Sequence, residues 1–177
     1  MSLEQLISLD LSNVLKVIGI AASPIAELRV AIPWAIWHDF PWYYAFLLAI
    51  IGNIIPVPLL LLFFNSLSRF LSKNSILERM LHRFLERTRR RGTIIEKYER
   101  IGLILFVAIP LPMTGAWTGA LAATLFGLSF RRAFFSILTG ILISGAIVTI
   151  FSLLGWMGAV LAGIGLIGLA VFGLWRT

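Results

Sequence analysis

Apolar residues fall in long runs broken by small clusters of proline, glycine and charge, and these clusters divide the chain into elements. Leu3 to Leu11 is short and amphipathic, suited to an interfacial helix. Val14 to Ala22, apolar but for Lys16, amounts to about nine residues, or ~14 Å of helix, half of what a span requires. Ser23-Pro24 interrupts it, Glu27 and Arg29 follow, and Val30 to Trp37 is apolar again, with Pro33 as a further expected break, up to His38-Asp39-Phe40-Pro41. This pattern predicts a helix that enters the membrane, breaks and returns. Its alternative is one continuous span from Leu15 to Trp37 with two charges near the centre. Trp42 to Phe64 reads as a span of about 23 residues, roughly 34 Å, with aromatics at its start suited to the interface. Pro56 and Pro58 cannot donate to the carbonyls of Gly52 and Ile54, so a kink with free acceptors is expected there.

Ser75 to Arg91 changes character. Ile76, Leu77, Met80, Leu81, Phe84 and Leu85 recur at helical spacing between charged residues, which predicts a basic amphipathic helix ending at Gly92. Val107 to Leu128 is apolar throughout, yet Pro110, Pro112, Thr114 and Gly115 fall together in it. Prolines two residues apart remove donors and disfavour helix before them, and glycine permits a turn. A half-helix, a break and a second helix are expected here too, the second starting near Thr114-Gly115 with its positive dipole end toward the break. Arg131-Arg132 closes the stretch, Ala133 to Leu154 is a span, Gly155-Trp156-Met157-Gly158 turns, and Ala159 to Trp175 returns. Gly155, Ala159 and Gly163 lie four apart, spacing that lets helices approach closely in the same chain or in a homo-oligomer.

Composition places these runs in lipid. Of 177 residues 59% are hydrophobic and 13% charged, and the mean hydropathy is +0.96, well above a soluble globular composition. The net charge of +7 is concentrated: ten Lys/Arg against four Glu lie between Arg69 and Arg100. A basic block between apolar segments is what the positive-inside rule places in a cytoplasmic loop, so a nucleic-acid partner is not expected. Thirteen of the fifteen Lys/Arg fall inside if the N-terminus is outside and the C-terminus cytoplasmic, with Glu4, Asp10 and Asp39 outside. Glu4 and Asp10 stand where a signal peptide carries basic residues, so the N-terminus is expected to be retained. Cysteine is absent, which removes disulfides, thiol nucleophiles and thiolate metal sites.

The expected fold is an all-α integral membrane protein of one domain. An interfacial segment (1–13) precedes a first re-entrant hairpin with its transmembrane helix (14–64). A cytoplasmic basic amphipathic linker (65–100), a second hairpin with its helix (101–154) and a C-terminal transmembrane helix (155–177) follow. VAIP occurs at Val30 to Pro33 and again at Val107 to Pro110, 77 residues apart. Ala45-Phe46 with Gly52 returns as Ala133-Phe134 with Gly140, 88 apart, so a duplication requires an insertion of 11 residues. Hairpins entering from opposite faces form an inverted repeat, a signature of secondary transporters.

Three segments carry a specific resemblance: ELRVAIPWAI (Glu27 to Ile36), GNIIPVPLLLLF (Gly52 to Phe63) and FVAIPLPMTGAWTGAL (Phe106 to Leu121). The chain from Pro24 to Leu154 resembles the small multidrug export family, itself similar to the DedA/VTT superfamily, whose members carry two facing re-entrant hairpins. The resemblance implies a transporter or lipid-carrier flippase of a prokaryotic plasma (inner) membrane, driven by an ion gradient. DedA-type flippases carry arginines around the second hairpin's proline; here Val107, Ala108 and Met113 stand there, leaving Arg29 as the intramembrane anion partner.

Glu27 is the first candidate for chemistry. A carboxylate inside a membrane must be paired or protonated, and a group alternating between those states carries a proton; a structural lock between Glu27 and Arg29 is the other reading. Arg29 suits either that lock or an anionic substrate. Asn53, beside the carbonyls freed by Pro56 and Pro58, suits a monovalent cation, a substrate or helix packing. Thr114 and Thr118 offer hydroxyls, and Trp117 offers a pathway wall or core packing. His38 and His82 lack metal-ligand spacing, no phosphate loop or nucleophile elbow occurs, and neither enzyme activity nor a cofactor is expected. The expected function is a small proton-coupled transporter of an amphipathic or lipid-like substrate among membrane lipids. A flippase or scramblase for a polyprenyl phosphate or phospholipid is the alternative, and a non-transporting scaffold a third.

Overall fold

The computed structural model describes residues 11–71, 92–111, 114–155 and 158. The expected interfacial segment, the basic helix over 75–91 and the last span from Ala159 lie outside the described residues. Those described are helical, without strands: α1 (Leu11–Ala22), α2 (Glu27–Trp37), α3 (Trp42–Ile54), α4 (Pro56–Leu71), α5 (Gly92–Ala108), α6 (Ala116–Leu125) and α7 (Phe130–Leu153). They form two compact units, one of residues 1–52 and 145–177, the other of residues 53–144. Trp42–Phe64 and Phe130–Leu153, of 23 and 24 residues, are long and apolar enough to cross a membrane.

In the first unit the chain from Leu15 to Trp37 is not one helix. It breaks at Ser23-Pro24-Ile25-Ala26, and α2 folds back onto α1. The Ser23 hydroxyl accepts from the Ala26 N–H at 3.1 Å, satisfying a donor that the break leaves without a helical partner. Pro33, expected as a break, instead lies inside α2. Proline there removes only the bond to the Arg29 carbonyl, and packed membrane helices tolerate that loss. The end of α2 is a Schellman motif, in which Phe40 N–H bonds Ala35 O at 3.1 Å and Asp39 N–H bonds Ile36 O at 3.2 Å.

In the second unit α6 packs on both α4 and α5. The helix α5 ends at Ala108, the break holds Pro110 and Gly115, and α6 begins at Ala116; Pro112 lies outside the described residues. Gly92, expected as a helix stop, is the first residue of α5. Pro56 and Pro58 sit in the first turn of α4, where the missing N–H groups have no helical acceptor in any case, and the kink expected in the long span appears as a turn at Ile55. The end of α6 repeats the Schellman motif, with Leu128 N–H to Ala123 O and Gly127 N–H to Thr124 O, both 3.0 Å.

The internal register of the two hairpins is the same. Buried Leu28, Ala31, Ile32 and Ala35 of α2 stand 88 residues before buried Ala116, Gly119, Ala120 and Ala123 of α6. The same spacing relates Asp39 to Gly127, buried Phe40 to buried Leu128, and Gly52 to Gly140. A Cβ added to Gly52 would lie 2.6 Å from Ile18 O and 2.8 Å from Ala21 Cβ. One added to Gly140 would lie 3.0 Å from Ile104 O and 2.6 Å from Val107 Cβ. Each long helix thus presses a glycine onto the last turns of the preceding first helix, at positions 86 apart, and those helices end at Ala22 and Ala108, also 86 apart. The chain between the equivalent packing positions on either side of the break is therefore two residues longer in the second hairpin. The two VAIP segments are not equivalent: Val30 to Pro33 lies within α2, whereas Val107 to Pro110 runs from the end of α5 into the break. No insertion of 11 residues is needed.

Small side chains fill the interior, and many large apolar ones lie on the outside. The buried set is rich in small residues, including Ala21, Ala31, Ala35, Ala45, Ala49, Ala116, Ala120 and Ala123, while Leu59, Leu62, Phe63, Leu105, Phe135 and Ile150 are exposed. Small residues at interfaces let backbones approach where no hydrophobic driving force separates helix from solvent.

Candidate functional site

The first hairpin's turn carries its charge. Glu27 follows the break directly, with its N–H on Ser23 O at 3.3 Å, and its backbone is left-handed at φ +51°. A non-glycine residue there costs about 1–2 kcal/mol, so the closure of the turn must hold it in place. Its side chain is 8% exposed and that of Arg29 is 20% exposed, with Arg29 Nη2 3.8 Å from Glu27 Oε2. That separation exceeds a charge-assisted hydrogen bond, and the two opposite charges attract across it. The carboxylate also sits at the N-terminal, positive end of α2. Ile25, at the tip of the same turn, is 96% exposed. This is an apolar tip beside a shielded charge pair.

The second hairpin's break is uncharged and closes on itself. Thr114 Oγ1 lies 2.7 Å from Ile109 O and 2.9 Å from Leu111 O, and accepts from Leu111 N–H at 3.2 Å. The hydroxyl expected to face a substrate is thus engaged with backbone that the prolines leave short of partners. Thr118 Oγ1 reaches Gly115 O at 3.4 Å, a long contact, and Trp117 is half-buried on α6.

Asn53, in the last turn of α3, is 1% exposed, and neither Oδ1 nor Nδ2 has a hydrogen-bond partner. Leaving a buried polar group unmet costs about 1–3 kcal/mol. Ser136 on α7 is a second such group, which the sequence reading missed; it is 1% exposed with an unbonded hydroxyl. Thr139, Thr149 and Ser152 on α7 all bond the carbonyl four residues back, so Ser136 departs from the habit of its own helix. The signal that would have found it is its place on the buried stripe Ala133, Ser136, Ile137, Gly140, Ile141 and Ser144.

The candidates therefore divide. Glu27 and Arg29 come together in the first unit, and Asn53, Thr114, Trp117 and Thr118 belong to the second. Among the described residues no group of three His, Asp or Glu side chains is placed to hold a metal ion.

Residues 27–147, more than half of the chain, match the family described as "Putative small multi-drug export protein". The chain belongs to this family. No curated protein and no solved structure matches it. The range matched to the small multidrug export family opens on Glu27 and takes in Arg29, Thr114, Trp117 and Thr118, together with Asn53 and Ser136. A membrane location follows from that membership and from the two long apolar helices.

Proposed function

We propose that the chain is a small secondary transporter in which protonation of Glu27 is coupled to movement of an amphipathic or lipid-like substrate. The observation that carries this reading is the shielded Glu27–Arg29 pair at the left-handed turn of the first hairpin, 3.8 Å apart. A proton on Glu27 removes the charge that attracts Arg29, and the guanidinium then attracts an anionic or polar substrate group in its place. In this reading both hairpins are re-entrant and enter from opposite faces of a prokaryotic inner membrane. The shared 88-residue register of α2–α3 and α6–α7 supports descent from one duplicated unit, and broken elements lining a path are characteristic of inverted-repeat transporters. The chain acts as a carrier rather than an enzyme, with membrane lipids around it, and the character of its family as small multidrug export proteins supports export as the direction.

Proteoliposomes test it. An imposed proton gradient is expected to drive flux of a lipophilic cation through the native protein, and Glu27→Gln is expected to abolish the gradient-driven part. Headgroup translocation of a labelled phosphate lipid without lipophilic-cation flux would replace this reading with a DedA-like flippase using Arg29. Neither activity in folded protein would leave the scaffold reading.

A further inference from the structure

We propose that the junction of α3 and α4 binds a monovalent alkali cation, with Asn53 Oδ1 and the Ile54 carbonyl as its protein ligands. Three observations meet there. Asn53 is 1% exposed and both atoms of its amide lack partners, in a helix whose surroundings provide no bulk water to satisfy them. The helix α3 stops at Ile54, so its last carbonyls have no donor within the helix, and Pro56 and Pro58 in the first turn of α4 have no N–H to offer them. The end of α3 is the negative end of a helix dipole, where positive charge is favoured. Oxygen from an amide and a carbonyl is the donor type that hard cations take. Neutral ligands suit a single positive charge, because a divalent ion without a carboxylate would keep too much uncompensated charge in an apolar setting. Asn53 Nδ2 then donates to a water oxygen in the remaining coordination shell. Unwound helix ends of this kind hold coupling ions in broken-helix membrane proteins.

The proposal uses no atom of Glu27 or Arg29, so it stands or falls apart from the transport reading. Thermal unfolding of the purified full-length chain, in chloride salts of sodium, potassium or choline at equal ionic strength, tests it. Sodium or potassium is expected to raise the melting temperature saturably by a few degrees over choline. Asn53→Leu is expected to lose that difference and Glu27→Gln to keep it. Coincident melting in all three salts, or an undiminished alkali effect in Asn53→Leu, overturns the proposal. Should Asn53→Leu fail to fold, equilibrium dialysis of the native chain against radiolabelled sodium and rubidium decides. Saturable binding of about one ion per chain supports the site and its absence overturns it.

Discussion

Two acidic residues of the first hairpin share a left-handed backbone and differ in everything else. Asp39, at φ +63°, is exposed and fills the position after the α2 cap that Gly127, at φ +69°, fills after α6. The Schellman motif needs that conformation, and glycine adopts it without the Cβ clash. Asp39→Gly is therefore expected to stabilise the protein by about 1 kcal/mol, and Gly127→Ala to destabilise it by about 1–2 kcal/mol, measured by thermal or denaturant unfolding. Equal stability in both variants would show that these turns do not hold the geometry described. Glu27, at φ +51°, is buried instead, so its conformation comes with a charge that burial makes costly. The sequence exposed Glu27 and Arg29 as charges in an apolar run. It did not expose the left-handed turn, because the handedness of one residue depends on how the Ser23 hydroxyl and carbonyl close the break. Thr114 shows the same limit, since a hydroxyl beside two prolines reads as available until the break folds around it.

Most breaks were legible because proline, glycine and charge punctuate apolar runs, and the turns at Ser23 to Ala26 and Ile55 fall among those marks, whereas Pro33 and Gly92 carry the same mark inside or at the start of a helix. Register was not legible from four repeated letters. VAIP recurs on non-equivalent helices, whereas the Gly52 and Gly140 echo survives because each glycine meets the backbone of a neighbouring helix. That contact gives the packing its sharpest test. A methyl on Gly52 meets Ile18 O at 2.6 Å and one on Gly140 meets Ile104 O at 3.0 Å, and a helix backbone yields less than a side chain. Burying a methyl in lipid-embedded packing brings no compensating transfer from water, so the clash decides the sign. Gly52→Ala and Gly140→Ala are each expected to destabilise by about 1–3 kcal/mol. Gly19→Ala and Gly102→Ala, where nothing lies within 4 Å, are expected to be neutral or to stabilise by up to about 1 kcal/mol through helix propensity. Unfolding in mixed micelles measures all four. A uniform response would mean that the glycines act through propensity alone.

For the whole molecule the decisive quantity is which face of the membrane each loop occupies. Thirteen of fifteen Lys/Arg fall on one side in the proposed arrangement, and the first hairpin's exit at Asp39 falls on the other. Charge asymmetry sets orientation through short loops near the spans, which is where the basic block from Arg69 to Arg100 and Arg131-Arg132 stand. The equal registers of the two hairpins reinforce the arrangement only if the copies are inverted. With both entering from the same face, the span that follows each would emerge on the same side, and the basic residues around Arg90 and Arg131 would be divided between faces. The chain has no cysteine, so single cysteines introduced at Asp39 and Arg90 report without background. In cells or right-side-out vesicles, an impermeant maleimide is expected to label Asp39→Cys from outside and to reach Arg90→Cys only after permeabilisation. Labelling of both from one side removes the inverted repeat, and with it the opposed path on which coupling through Glu27 depends, while leaving the helix breaks, the glycine contacts and the Asn53 site as they are.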